Sequence, residues 1–256
     1  MSHPHKTALL GAFGPEISLL EDNLADMETI SIRGIEFITG KIHDRDVVLA
    51  RIGIGKVNAA MTATLLIDHF EPAEVIFTGT AGSLNPDIHP GDIIIGESTV
   101  YHDHGWATGE GFEAIATKNP ITGEQNPAYF PADEKLLNLA QISGDEVELV
   151  VVHHNITPRK PKITRGTIAT GDGFITSKQM QSDIRRLVQA DAVEMEGAAV
   201  AQVCHQFSLP CLIIRGVSDS ANESTKNDFK SFMRSAAHNS ATLVLKIIKN
   251  LAADDL

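Results

Sequence analysis

Apolar positions along the chain repeat with two periods, one of about two residues and one near 3.6, and segments of the two kinds alternate. Residues 7–13 form a continuous apolar run closed by Gly14-Pro15, which predicts a buried strand and a turn. Ile17, Leu19, Leu20 and Leu24 then recur at helical spacing directly behind Glu16. Residues 30–39 and 41–52 alternate apolar with polar, predicting paired strands joined around Gly40, and the polar group 43–46 predicts a further turn. A helix is predicted over 58–69, where Ala59, Ala60, Ala63, Leu66 and Ile67 give a packing face of small residues.

A buried strand over 75–78 leads into the small residues 79–83, read as a turn where backbone can approach a ligand closely. A strand from 93 to 101 follows. Over 102–131 no period is firm and prolines recur at 120, 127 and 131, so this stretch reads as a long excursion. Then come a helix over 133–142, strands over 147–152 and 164–170, a break at Gly171-Asp172-Gly173, and a helix over 182–189. Residues 191–219 hold Glu194 and Glu196 ahead of an alanine-rich helix, a turn at Pro210, and a strand over 211–217 that leads to Asp219. A long amphipathic helix is predicted over 228–251. Strands and helices alternate without linker or repeat, which predicts an α/β fold as a single three-layer domain over 1–256.

Composition narrows the partners. With 43% hydrophobic and 21% charged residues the chain can build a substantial core. A formal net charge of -12 argues against nucleic acid, which needs a concentrated basic face. Cys204 and Cys211 have apolar neighbours and read as buried free thiols, consistent with a reducing cytoplasm. Residues 1–16 lack the apolar core of a signal peptide, and no segment approaches the ~20 apolar residues that cross a bilayer.

Four polar positions fall at predicted strand ends: Glu16, Thr80, the Glu194/Glu196 pair and Asp219. Ligands of open α/β sheets bind beyond the carboxyl ends of strands, so these groups are expected to face one crevice, and carboxylates flanking a ligand suit acid/base cleavage. Glu194 reads as a cap for the following helix. Rival chemistries lack their signatures. There is no Gly-x-Ser-x-Gly elbow, and neither cysteine lies in a polar turn. The glycines of residues 51–57 belong to a tight strand-to-helix turn, since Asn58 stands where a third glycine is needed and Val57 where a phosphate loop has Ser or Thr. His102-Asp103-His104 lacks metal-site spacing and a third ligand, so a hydrogen-bonded turn and no metal are expected there.

The segments LLGAFGPEISLL, GIGKVNAA, FTGTAGSL, PGDIII, YHD, TGDGFI, AVEMEGAAVAQVCHQFSLP and IIRGVSD occur in an order that resembles one family over nearly the whole chain. That family is the 5′-methylthioadenosine/S-adenosylhomocysteine nucleosidases of the nucleoside phosphorylase superfamily. The resemblance implies a nucleoside phosphorylase-like α/β/α fold with a central mixed, twisted sheet, and a cytoplasmic homodimer using no cofactor. It implies that Glu16 activates the attacking water and Asp219 assists the leaving purine at N7. Glu196 would hold ribose hydroxyls, with Met195 packed on the sugar and Thr80 near the water. Phe174 would stack on the base, the Ile175 backbone would read its edge, and Ile54 would line the 5′ pocket. Arg215 and Ser218 match positions that support Glu196 and Asp219. Two departures stand out: Gly14-Pro15 replaces an acidic pair common before the matched Glu16, and residues 106–130 differ in length and pattern from the family's 5′-pocket loop. A phosphate-dependent purine nucleoside phosphorylase, an aminodeoxyfutalosine hydrolase and a nonenzymatic nucleoside-binding module are the alternatives.

Overall fold

The computed structural model describes residues 6–154 and 157–254. β1 (Thr7–Gly11) leads into α1 (Gly14–Asp22), followed by a meander of β2 (Ala25–Ile32), β3 (Ile35–Ile42) and β4 (Arg45–Arg51). Next come α2 (Lys56–Phe70), β5 (Glu74–Ser83), β6 (Ile93–Tyr101), the hairpin of β7 (Gly105–Thr108) and β8 (Gly111–Ala114), and β9 (Tyr129–Pro131). Then follow α3 (Glu134–Glu146), the hairpin of β10 (Val152–His154) and β11 (Thr157–Arg159), and β12 (Ile163–Thr170). The remaining elements are α4 (Lys178–Val188), β13 (Ala192–Glu194), α5 (Gly197–Gln206), β14 (Cys211–Asp219) and α6 (Thr225–Asp254).

The main sheet has ten strands in the order β13-β12-β6-β14-β5-β1-β4-β3-β2, with β9 branching from β6. It is mixed, as the resemblance implied: β1 runs parallel to both β4 and β5, while β14 is parallel to β5 and antiparallel to β6. β13 pairs with β12 on one side and with β5 on the other, so β5, β14, β6, β12 and β13 form a closed ring.

Period-two alternation sorts the strand residues onto two cores. Ala8, Leu10, Val48, Ala50, Val75, Phe77 and Ile213 face α2 and α5. Leu9, Val47, Leu49, Ile76, Leu212 and Ile214 face the opposite way, onto α1, α3 and α6. Helices thus cover both sheet faces, the three-layer arrangement expected from alternating strands and helices.

Three sequence expectations are corrected. The first turn of the meander lies not at Gly40, which is inside β3, but at Arg33-Gly34, while the second falls at His43-Asp44, within the polar group 43–46 that predicted it; all four residues have the positive φ that suits two-residue hairpin turns. Residues 79–83 are no turn, because β5 continues through Ser83 while pairing with β14. The strand expected over 147–152 is confined to the hairpin that begins at Val152. Its apolar character comes from packing instead, since Val147 and Leu149 lie against the core beneath α3 and α6.

Candidate active site

Strand ends deliver the acidic groups to one place. Glu16 lies in the first turn of α1, just past β1, and Asp219 is the last residue of β14. Thr80 lies within β5, and Glu196 is the N-cap of α5, two residues past β13. These four line a single cavity of about 610 Å³, counting space open to solvent, together with Ile54, Phe174, Ile175, Met195 and Ser218. Nine of the ten sequence-predicted site residues therefore meet there. The tenth, Arg215, lies behind the cavity wall.

Each carboxylate is held by hydrogen bonds. Glu16 Oε2 accepts from the Ala12 N–H at 2.7 Å, and its Oε1 accepts from the Thr80 N–H at 2.8 Å and the Thr80 hydroxyl at 3.1 Å. Asp219 Oδ2 accepts from Ser218 Oγ at 2.8 Å, while Oδ1 accepts from the Ala221 N–H at 2.9 Å and the Thr225 hydroxyl at 3.2 Å. Glu196 Oε1 accepts from the Gly55 N–H at 2.7 Å. The small residues of β5 make room for the protein's own carboxylates: a Cβ at Gly79 would sit 2.9 Å from Glu16 Oε1, and one at Gly82 would sit 2.7 Å from Asp219 Oδ1.

Burial dominates the electrostatics. It pushes the Glu16 carboxyl above its ordinary range, against the charge of Arg215 and the hydrogen bonds from Thr80 and Ala12. It raises Asp219 likewise, against the donors on Ala221, Ser218 and Thr225. Glu196 is pushed up to about 8 by burial and then by the charge of Glu194. Three buried carboxyl groups with heightened proton affinity thus surround one cavity, an arrangement suited to proton transfer on either side of a bound molecule.

Arg215 corrects its expected role. Its Nη2 pairs at 2.7 Å with Glu194, not with Glu196, while Nη1 donates to the Phe77 and Ile214 carbonyls and the guanidinium lies 3.8 Å from the Phe77 ring centre. Glu194 acts as the cap read from sequence and as more than that. Its Oε2 accepts from the Glu196 and Gly197 N–H groups at the start of α5, and its Oε1 accepts from the Thr170 hydroxyl.

Phe13 and Phe229 also line the cavity and were missed. Phe229 meets Phe174 edge-on, with ring centres 5.6 Å apart. It reads as one more apolar position of a long amphipathic helix, but its nearness to Asp219 in sequence was a usable signal, because α6 starts only at Thr225. In the His102-Asp103-His104 turn, Asp103 is engaged by Lys56 at 2.6 Å. Among the described residues no group of three or more His, Cys, Asp or Glu is placed to hold a metal ion, and no helix is long and apolar enough to cross a membrane.

Comparison with known proteins places this geometry in a family. The pattern of the family described as Phosphorylase superfamily matches residues 6–249. The 5′-methylthioadenosine/S-adenosylhomocysteine nucleosidase of Bacillus pumilus is 39% identical over 247 residues, covering 95% of this chain and 98% of that protein. The crystal structure of a nucleosidase of the same name from Colwellia psychrerythraea, in complex with adenine, superposes with a TM-score of 0.85 at 33% identity, covering 97% of this chain and 96% of that one. The Neisseria meningitidis nucleosidase in complex with methylthio-immucillin-A gives 0.84 at 35% identity, covering 96% and 99%.

Proposed function

The chain belongs to the phosphorylase superfamily, and from that membership we propose that it hydrolyses the N-glycosidic bond of 5′-methylthioadenosine and S-adenosylhomocysteine, releasing adenine and the 5-thio-substituted ribose. The observation that carries this reading is the convergence of Glu16, Glu196 and Asp219 on one cavity from separate strand ends. Cleavage leaves an oxocarbenium-like sugar and a purine anion, so it is speeded by a proton or hydrogen bond at N7 and by a base that orients water. Asp219, whose burial favours the protonated form, supplies the first. Glu16 acts in its ionised form, which the Arg215 charge and the donors on Thr80 and Ala12 favour against burial, and takes a proton from the water as the water oxygen bonds to C1′, while the C1′–N9 electron pair leaves with the purine.

Glu196, fixed by the Gly55 N–H, accepts from ribose hydroxyls, and Met195 packs on the sugar. Phe174 and Ile175 face the base, Ile54 borders the 5′ side, and Ser218 steadies Asp219. The reading calls for no metal or redox cofactor. Hydrolysis is favoured over phosphorolysis because no Lys or Arg is among the described residues that line the cavity, whereas a phosphate nucleophile needs cationic contacts. The enzyme is read as one domain acting as a cytoplasmic homodimer. In support, α2 leaves Val57 77% and Met61 49% exposed, one turn apart, and Trp106 is 60% exposed. Sedimentation as a monomer at every concentration would overturn the dimer.

The reaction is tested by incubating purified protein with methylthioadenosine in phosphate-free buffer and measuring free adenine. Adenine and the free thio-sugar are expected in equal amounts. Release that strictly requires phosphate would replace hydrolysis by phosphorolysis, and no release from any purine nucleoside would leave a binding module.

A further inference from the structure

Three stretches whose side chains that reaction does not use meet beside the cavity: Gly55-Lys56 at the start of α2, Asp103 just past β6, and Gly171-Asp172 just past β12. Lys56 Nζ lies 2.6 Å from Asp103 Oδ1 and 3.7 Å from Asp172 Oδ2. Backbone groups close the triangle. The Lys56 N–H donates to Asp172 Oδ1 at 2.8 Å, and the Asp172 N–H donates to Asp103 Oδ2 at 2.8 Å. The Lys56 ammonium also lies 5.7 Å from the Tyr101 ring centre. Although partial burial opposes it, the hydrogen bond from Lys56 carries the Asp103 carboxyl below its ordinary range.

The packing leaves little freedom. Gly55 has φ +92°, and a Cβ there would stand 3.1 Å from Asp172 Oδ1. A Cβ at Gly171 would collide with His102 and press on the Asp103 carboxyl carbon. A glycine-rich turn, a His-Asp turn and a Gly-Asp-Gly break, three separate features of the sequence, are thus parts of one cluster.

None of Lys56, Asp103 and Asp172 lines the cavity, but Ile54, two residues before Lys56, and Gly173, next to Asp172, do. Ile54 borders it, and Gly55 donates to Glu196. Gly173, Phe174 and Ile175 follow Asp172 directly along the wall. The cluster therefore ties the donor that holds Glu196 to the segment that faces the base.

We propose that Asp172, Lys56 and Asp103 are positioning residues that lock the Gly55 N–H and the 173–175 segment into one frame, so that sugar and base are held in fixed relation while the bond between them breaks. This rests on the nucleosidase reading. It assigns a role in that reaction to side chains that never touch the substrate.

The test uses the full chain with Lys56→Met, Asp172→Ala and Asp172→Asn, read by steady-state adenine release, melting temperature and amide hydrogen exchange over residues 53–57. A misplacement of about 1 Å costs about a hundredfold in rate, so Asp172→Ala is expected to lower kcat/KM by about that factor, mostly through kcat. Lys56→Met keeps both backbone hydrogen bonds and is expected to lose about tenfold by the same argument. Asp172→Asn still offers an oxygen to the Lys56 N–H and is expected to recover much of the alanine loss. Exchange at 53–57 should quicken in Asp172→Ala without ligand. A lower melting temperature with unchanged kcat, KM and exchange would mean a merely structural role and would overturn the proposal. Should Asp172→Ala fail to fold, Lys56→Met decides by the same readouts. Should the parent protein release no base at all, the nucleosidase reading falls separately, and unchanged exchange in the variants would overturn the lock itself.

Discussion

The parallel strands β1 and β5 treat buried charge in opposite ways at their two ends. At the N-terminal ends, Glu74 is matched by Arg45, whose Nη2 lies 2.8 Å from it, and the Thr7 hydroxyl links the two by accepting from Arg45 and donating to Glu74. At the C-terminal ends, Glu16, Glu194, Glu196 and Asp219 are all buried, and the one buried guanidinium among them, Arg215, has its ion pair with Glu194. The other three carboxyl groups are each raised by burial. At the first end the buried charge is compensated by its partner, whereas the under-paired end is costly to fold yet ready to exchange protons.

The contrast is broken first at the reacting end. Asp219→Asn and Glu16→Gln preserve volume, and each is expected to lower the rate of adenine release by about 10²–10⁴, or about 3–5 kcal/mol of barrier, with an unchanged circular dichroism spectrum. A variant that kept near-parental turnover would show that its carboxyl group is only a structural acceptor. At the opposite end the expectation reverses. Arg45→Met leaves Glu74 buried without its cation and is expected to cost about 3–5 kcal/mol in denaturant unfolding, with kcat of the folded enzyme unchanged. A fall in kcat there would mean that the two ends are coupled.

A third effect is one of pH, and at any one pH step it is the smallest. Glu196 has a folded pKa of about 8, against about 4.3 for a free glutamate, so between those values the folded state holds a proton that the unfolded state has released. Its contribution therefore favours folding at low pH and is lost as pH rises through that window, by up to about 1.4 kcal/mol per pH unit. Glu196→Gln removes this dependence, so its melting temperature should gain on the parent's between about pH 5 and about pH 8 while adenine release falls. A constant difference across that range would show that Glu196 is ionised throughout.

What the sequence made legible follows from the range of the forces involved. The continuous apolar run of β1 and the alternation in the meander are local, so the strands that carry Glu16 and Asp219 to the cavity could be read directly. Gly40 misled because glycine marks turns on average, while the turn it displaced is made by Arg33-Gly34, where Arg33 accepts positive φ; the turn at His43-Asp44 was legible from its run of polar residues. Residues 79–83 misled for a related reason: their small size serves a close approach, but to Glu16 and Asp219 from a strand. The partner of Arg215 was beyond local reading, since Glu194 and Glu196 are two residues apart and only the register of β13 against β12 and β5 decides which faces the guanidinium. The Lys56 cluster was illegible for the same cause. Its hydrogen bonds join residues 47, 69 and 116 positions apart.

Closing the ring at β13 leaves the sheet with an open margin at β2, far along the order from the cavity. Exposed strand margins recruit other chains into intermolecular sheets, and proteins discourage this with bulges and charges. Here the β2–β3 register slips between Ala25 and Glu28, Asp26 takes a positive φ of 53°, and Asp26 and Glu28 place two carboxylates on the slipped segment. The margin is thereby kinked and negatively charged, in a chain whose net charge is already -12. A margin of this kind disfavours pairing with a strand of another chain, and it lies at the end of the strand order away from β13.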